Sequence, residues 1–219
     1  MEEIVIYGDG SMAQTIYPYL SQYYKVKYFT VENKYKSHMS LCGKPVLNFE
    51  DVQCNGEKFI IAVGFHQLNK LREKYFWSLI KKGFTPASFI DPALKEINNI
   101  HIDQGSIVLE KTSIHYNTRI GKNVFIATGA NIGHDCIIKD NAWINSGVTI
   151  AGNTTIGSNT VLGINATIGN DIVLGDNNFI GAATLITKNT EDNACYATEA
   201  TKQLPISADA FMAFTQKIS

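Results

Sequence analysis

Long hydrophobic runs, clustered cysteines and an excess of charge of either sign are all lacking in this 219-residue sequence. The formal net charge is -1, so the basic footprint of a nucleic-acid-binding protein is missing. No apolar run approaches the length of about 18 residues that spans a bilayer, and the first residues, Met1 to Glu3, are acidic where a secretory signal would be basic. We therefore expect a cytoplasmic protein that binds neither nucleic acid nor a membrane.

The four cysteines lie far apart in the chain. They are Cys42, Cys54, Cys136 and Cys195, without a C-x-x-C pair and without histidines at the spacing of zinc ligands. This spacing predicts reduced thiols, and it favours neither a disulfide framework nor a metal site. Cys136 falls on a small interior position of the repeat described next, where a packed thiol is expected.

A period of six dominates the second half of the sequence. Ile, Val or Leu occupies every sixth position from Ile102 to Ile186, fifteen positions in all, and Ser, Thr, Ala or Cys stands two residues before ten of them. A helix has a period of 3.6 and an isolated strand a period of 2, so neither explains the pattern. The period predicts a solenoid of short parallel strands around a narrow interior.

Three hexads close one triangular coil of 18 residues, so the repeat predicts five stacked coils. Residues 18 positions apart then lie above one another, which places Gly152 one coil above His134. The sequence itself does not determine the handedness of the coil.

The first third of the chain has a different pattern. Three apolar runs alternate with two helical segments, which indicates a parallel α/β unit whose ligand would lie beyond the carboxyl ends of the strands. A linker around Asp91 and Pro92 leads into the repeat. The predicted strands are 3–8, 26–30 and 59–64, and the predicted helices extend to about residue 23 and from about 68 to 82.

A glycine-rich turn follows the first predicted strand. Gly8, Gly10 and Ala13 approximate the G-x-G-x-x-G fingerprint, and Glu32 is within range of its acidic partner. Three interpretations are open. A dinucleotide site would need a second mononucleotide-binding half for which the unit lacks room, and a mere packing turn would bind nothing. We favour a site for a nucleotide-linked substrate.

His134 is the histidine with the most suggestive surroundings. Asp135 follows it directly and could orient the ring and stabilise the imidazolium, as a general base in acyl transfer requires. Gly152 leaves space above the ring and could offer its N–H to an oxyanion. The alternative is that His134 is a solvated corner residue. Elsewhere, His66 ends a strand but is interpreted as a loop residue, and the remaining histidines, His38, His101 and His115, as surface or packing residues.

The segment from Ile132 through Gly163 resembles the bacterial sugar acyltransferases of the hexapeptide superfamily. Its G-H-D and A-G-N-T-T-I-G segments are similar to those of nucleotide-amino-sugar N-acetyltransferases, such as the UDP-4-amino-sugar N-acetyltransferase of the bacillosamine pathway, and of sialic acid O-acetyltransferases. The resemblance runs from I-Y-G-D-G-S to about Lys202. It implies a left-handed β-helix, a homotrimer with active sites between subunits, and acetyl-CoA as the co-substrate without a metal.

The resemblance also implies domains and site residues. The implied domains are a small Rossmann-like nucleotide-sugar-binding domain at 1–92, a left-handed β-helix acyltransferase domain at 93–188 and a C-terminal tail at 189–219. The implied catalytic residues are His134 as the base, Asp135 as the residue that raises its basicity and Gly152 as the oxyanion donor. Implied coenzyme A contacts are Trp143, Gly152, Ile164 and Ala182. Implied nucleotide-sugar contacts are Gly10, Ser11, Met12, Glu32, Asn33, Gly64, Asn69 and Lys70.

The sequence departs from the family at several positions. Ser11, Met12 and Ala13 stand where Gly-His-Gly is common, so one polar substrate contact is missing. Asp9 adds negative charge beside a presumed diphosphate, which is unfavourable unless it binds the sugar amine. Trp143 replaces a second family histidine, and Ala127 a family asparagine. These changes put the identity of the sugar in question.

Three functions follow as hypotheses. The first is transfer of an acetyl group to the amino group of a UDP-, dTDP- or GDP-linked 4-amino-4,6-dideoxy sugar for a surface glycan, by direct attack. The second changes the acceptor to a hydroxyl, as in sialic acid O-acetylation. The third is a trimeric β-helix that binds without turnover, against which the stacked His134, Asp135 and Gly152 count.

Overall fold

The computed structural model describes residues 1–94 and 99–215. Residues 95–98 of the predicted β-helix domain and 216–219 of the predicted tail therefore lie outside the described residues. The described chain forms a parallel α/β sheet followed by a long parallel β-helix.

The N-terminal unit is a six-stranded sheet in the order β3-β4-β2-β1-β5-β6, parallel except for the β3–β4 hairpin. The strands are β1 (Glu3–Tyr7), β2 (Lys25–Val31), β3 (Ser40–Leu41), β4 (Lys44–Asn48), β5 (Lys58–Ile61) and β6 (Thr85–Pro86). The helices are α1 (Ser11–Leu20) and α2 (Lys70–Lys81). Strands β1, β2 and β5 and both helices confirm the predicted elements, whereas the hairpin and β6 were not predicted from the sequence.

The β-helix repeats one two-residue strand per hexad. Its strands are β7 (Phe89–Ile90), β8 (His101–Ile102), β9 (Ile107–Val108), β10 (Ser113–Ile114), β11 (Arg119–Ile120), β12 (Phe125–Ile126), β13 (Asn131–Ile132), β14 (Ile137–Ile138), β15 (Trp143–Ile144), β16 (Thr149–Ile150), β17 (Thr155–Ile156), β18 (Val161–Leu162), β19 (Thr167–Ile168), β20 (Phe179–Ile180), β21 (Leu185–Ile186) and β22 (Cys195–Tyr196). Val173 pairs with Thr155 as an isolated bridge in the one remaining hexad. A last helix, α3 (Ala208–Thr215), is exposed at its described side chains.

The strands stack into three parallel sheets. They comprise five strands (β10-β13-β16-β19-β21), four strands (β8-β11-β14-β17) and seven strands (β7-β9-β12-β15-β18-β20-β22). Partners lie 18 residues apart, as in Ile114 with Ile132 and Ile132 with Ile150, which confirms the predicted register. The repeated Ile, Val and Leu side chains from Val108 onward are buried, and Cys136 is buried among them as predicted.

The N-terminal unit packs on the outer face of the seven-stranded sheet. Outward-pointing Phe125, Trp143 and Val161 are buried there, although outward positions of a solitary β-helix would face solvent. The Phe125 and Trp143 rings stack with centroids 4.1 Å apart. Because β7 and β22 join this sheet, it extends past both ends of the fifteen-hexad repeat. The boundaries predicted at residues 92 and 188 stay predictions.

Arg72 forms hydrogen bonds to both units from a position buried between them. The side chain is fully buried, and it donates to the Val63 carbonyl at 3.2 Å and to the Asn123 carbonyl at 2.9 Å. Its guanidinium lies 5.0 Å from the centre of the Trp143 ring. Burial lowers the pKa of Arg72, because the charged form is desolvated.

Candidate active site

The corner after β13 holds His134 in a fixed orientation. The Nδ1 atom of His134 lies 2.7 Å from Asp135 Oδ2, and the other carboxylate oxygen of Asp135 accepts a hydrogen bond of 2.6 Å from Asn117 Nδ2. The bonds from Asn117 and then His134 lower the pKa of Asp135, so the carboxylate stays ionised. An ionised acceptor at Nδ1 keeps the ring proton there, which leaves Nε2 free to take up a proton.

Asn117 was missed by the sequence analysis, although the 18-residue register contains it. It lies one coil below Asp135, as Gly152 lies one coil above His134. The side chain of His134 is 57% exposed, so the triad of Asn117, Asp135 and His134 stands at the surface of the chain, where a second reactant has access.

Gly152 faces the His134 ring directly. A Cβ atom built on Gly152 would lie 2.7 Å from His134 Nε2, so only glycine leaves that space open. The N–H of Gly152 donates to no acceptor in the described residues. The carbonyl of Gly152, by contrast, is held by the N–H of Asp171 at 3.1 Å. The corner therefore combines a proton acceptor, an open space and an uncommitted amide donor.

Two predicted coenzyme A contacts lie at a different corner. Ile164 and Ala182 stack on one another after β18 and β20, and both side chains are exposed. The five-stranded sheet separates this corner from that of His134. Trp143 is only 5% exposed; its indole N–H donates to Asn145. Within a single chain, Ile164, Ala182 and Trp143 therefore do not lie beside His134.

The glycine turn opens onto a cavity of about 220 Å³ at the carboxyl ends of β1, β2 and β5. Four of the predicted nucleotide-sugar contacts line it. They are Gly10, Ser11, Met12 and Gly64. Gly8, also on the wall, has φ +125°, and a Cβ there would meet the Ala62 carbonyl oxygen at 2.5 Å. The turn therefore needs glycine at position 8 for the close approach of β1 to β5, whatever it binds.

The other four predicted contacts lie outside the lining of the cavity. Glu32 pairs with Lys34 at 2.8 Å and Lys74 at 3.1 Å, and mainly the Lys34 bond lowers the pKa of Glu32 to about 2. Asn33 donates its N–H to Glu50. Asn69 is buried and donates to the carbonyl of Asn159 in the β-helix, and Lys70 is exposed.

Two further polar residues, Asp9 and His66, line the cavity. Asp9 is buried, and its Oδ2 accepts the N–H groups of Ser37 at 2.7 Å and His38 at 3.1 Å, so it anchors the loop after β2. His66, interpreted as a loop residue, lines the cavity beside Gly64. The sequence signal for His66 was its place shortly after the predicted strand 59–64, although β5 itself ends at Ile61.

The described residues contain neither a metal-binding group nor a membrane-spanning helix. No group of three or more His, Cys, Asp and Glu side chains in residues 1–94 and 99–215 is arranged to hold a metal ion. Within the same ranges, every helix falls short of the length or apolar character needed to cross a membrane.

Comparison with protein families identifies the repeat. The family described as "Bacterial transferase hexapeptide (six repeats)" matches residues 117–152, 135–163 and 153–188. These repeats and the parallel sheets fit the predicted left-handed β-helix. The narrower Rossmann-like assignment of the N-terminal unit stays a prediction. A search of curated proteins finds no significant match.

Solved structures share the fold over nearly the whole chain. PerB from Caulobacter crescentus, in complex with CoA and GDP-perosamine, is 20% identical with a TM-score of 0.73, covering 89% of this chain and 93% of that one. The acetyltransferase domain of PglB from Neisseria gonorrhoeae, in complex with acetyl coenzyme A, is 21% identical with a TM-score of 0.74, covering 93% and 99%. WeeI from Acinetobacter baumannii is 21% identical with a TM-score of 0.75, covering 89% and 96%. Residues 117–188 therefore match bacterial transferase hexapeptide repeats, and the chain resembles these acetyltransferase structures in its fold.

Proposed function

We propose that this protein transfers an acetyl group from acetyl-CoA to the amino group of a nucleotide-linked 4-amino-4,6-dideoxy sugar. The observation that carries the proposal is the corner at which Gly152 leaves an open space over Nε2 of an Asp135-oriented His134. Two of the solved structures that share the fold are a perosamine N-acetyltransferase with CoA and GDP-perosamine and an acetyltransferase domain with acetyl coenzyme A.

The reaction needs only groups that the corner supplies. The amine nitrogen attacks the thioester carbonyl carbon while His134 Nε2 takes a proton from that nitrogen. The carbonyl oxygen becomes an oxyanion, to which the Gly152 N–H donates. The intermediate then expels the coenzyme A thiolate, which takes the proton from the imidazolium. Asp135 stabilises the imidazolium in between, and no covalent acyl-enzyme forms.

The site is shared between subunits of a homotrimer in this proposal. Ile164 and Ala182, two of the four predicted coenzyme A contacts, lie at another corner than His134 in one chain. A neighbouring subunit that presents this corner beside His134 would complete the site. The N-terminal unit, Rossmann-like in its parallel sheet, holds the nucleotide end of the acceptor in the cavity beside Gly10 and Gly64.

A thiol-release assay tests the acceptor class. With acetyl-CoA present, we expect free coenzyme A to appear with at least one UDP-, dTDP- or GDP-linked amino sugar, and an N-acetylated sugar to accumulate in equal amount. Sugars that carry a hydroxyl in place of the amine serve as matched controls. Release with the hydroxyl sugars alone would point to O-acetylation, and release with none of the panel would refute the proposed activity.

The carboxamide of Asn117 supplies a further prediction. Replacing Asn117 by alanine removes one of the two bonds that hold the Asp135 carboxylate, so we expect kcat to fall about 10-fold, in line with the loss of an orienting outer partner. The measurement is steady-state kinetics at saturating acetyl-CoA. Asn177→Ala is the control, because Asn177 has a φ of 56° close to the 58° of Asn117 but lies at another corner. Equal kcat values for the two variants would contradict the role of Asn117.

A further inference from the structure

The side chains that line the cavity beside the glycine turn include a negative charge and no lysine or arginine, which is unusual for a site that binds a nucleotide diphosphate. Asp9 is the one carboxylate in its lining, and no lysine or arginine is present among the described residues that line it. His66 is the one imidazole, and the remaining polar groups are Ser11 and three tyrosines, Tyr7, Tyr35 and Tyr75. A diphosphate would therefore meet a carboxylate without a fixed cation to offset the repulsion.

One oxygen of Asp9 remains available to a ligand. Oδ2 is occupied by the N–H groups of Ser37 and His38, with the His38 ring nitrogen 3.6 Å away. Oδ1 accepts no hydrogen bond from the described residues, although the side chain is only 6% exposed. Because Asp9 lines the cavity and no N–H or O–H of the described chain donates to Oδ1, a ligand in the cavity that donates an N–H or O–H can hydrogen-bond to this oxygen.

The N-terminus of α1 is the feature that would favour a phosphate instead. Free N–H groups and the helix dipole attract anions at such an end. Here, however, Asp9 stands one residue before the cap Gly10 and places the negative charge of the protein itself beside that end. The lysines that follow on neighbouring elements, Lys34 and Lys74, are committed to Glu32. Neither feature leaves a strong site for a diphosphate in the cavity.

We infer that the cavity binds the uncharged nucleoside part of the acceptor, with Asp9 Oδ1 accepting a hydrogen bond from it, and that the diphosphate lies outside the cavity. The inference rests on the proposed function and adds the orientation of the acceptor. It also gives Asp9 two roles, since Oδ2 anchors the loop at Ser37 and His38 while Oδ1 contacts the ligand.

The variant Asp9→Asn distinguishes this orientation from one in which the diphosphate lies against Asp9. The Kd for a nucleoside diphosphate should rise in the first case and fall in the second. The asparagine oxygen can still accept the two loop N–H groups, while the other position changes from an acceptor to a donor. We expect the Kd of the full-length protein for the tightest-binding of GDP, UDP and dTDP to rise about 10-fold or more, and the Kd of the matching nucleoside to rise by a similar factor. The measurement is isothermal titration calorimetry.

The same titration can also overturn the inference. If the diphosphate lay against Asp9, removing the charge would tighten nucleoside diphosphate binding, and either tighter or unchanged affinity overturns the inference. Asp103→Asn, at an exposed aspartate in the β-helix, is the control and should leave every Kd unchanged. Failure of all three nucleoside diphosphates to bind the wild-type protein would instead remove the nucleotide-linked acceptor itself, which is a different result.

Discussion

Replacing His134 by alanine lowers kcat for acetyl transfer by an expected factor of about 10² to 10⁴, the usual contribution of a positioned general base. The change removes Nε2, the ring nitrogen that faces the open space over Gly152. The KM for acetyl-CoA should change little, because no predicted coenzyme A contact is altered. Steady-state kinetics with each substrate varied in turn measure both quantities.

His115→Ala is the matched control for that experiment. His115 is an exposed histidine at the same corner of the β-helix, one coil below Gly133, and it has no carboxylate partner among the described residues. We expect its kcat to equal that of the wild type. A His134→Ala protein that acetylates as fast as the His115→Ala protein would remove His134 from the mechanism, whatever the origin of the remaining activity.

Replacing Gly152 by alanine should lower kcat by about 10²-fold or more, comparable to the loss of an oxyanion donor. The new methyl group would lie 2.7 Å from His134 Nε2, so it pushes the ring aside and fills the space of the thioester. The free energy of unfolding should change by no more than about 1 kcal/mol, since the exposed His134 ring can move away. Kinetics and chemical denaturation together measure the two effects.

Gly169→Ala is the control for that substitution. Gly169 lies at the same corner, one coil above Ala151, and a Cβ there would make an ordinary contact of 3.4 Å with the Ile186 carbonyl oxygen. This variant should retain full activity. An active Gly152→Ala protein would show that neither the space nor the ring position is needed, and the corner would then lose its proposed role.

The β-helix was predictable because its interior admits one large side chain per hexad. Each Ile, Val or Leu at the sixth positions from Val108 to Ile186 is buried in the interior, so the sequence period marks the core directly. Since one coil contains 18 residues, residues 18 positions apart in the sequence lie next to one another in adjacent coils. The pairing of His134 with Gly152 followed from that arithmetic alone. The same spacing stacks Asn117 below Asp135, but the hydrogen bond between their side chains has no sequence signal beyond that spacing.

The N-terminal unit was less predictable. Its three central strands are apolar runs, so they were recognised within a few residues. The β3–β4 hairpin turns through Cys42 and Gly43, both with positive φ, and a cysteine at such a turn carries no sequence signal comparable to Asn-Gly. The interpretation of Asp9 beside a diphosphate also failed to anticipate its two bonds to the loop at Ser37 and His38, because those partners are 28 and 29 residues away.

The contact between the two units had a sequence signal that was not used. Phe125, Trp143 and Phe179 are aromatic residues at outward positions of one sheet, spaced by multiples of 18. Large apolar side chains on one outer face indicate that something covers that face. What covers it, including the fully buried Arg72, could not be read from periodicity, since it depends on the position of α2 in three dimensions.

The covered face has a consequence for how this protein unfolds. A free solenoid melts by fraying, because each coil contacts only its neighbours and an end coil can leave first. Here the α/β unit lies across several coils at once through Phe125, Trp143 and Val161, so loosening any of these coils also exposes the aromatic contact. We therefore expect the two units to lose their structure together, in one cooperative transition, instead of coil by coil.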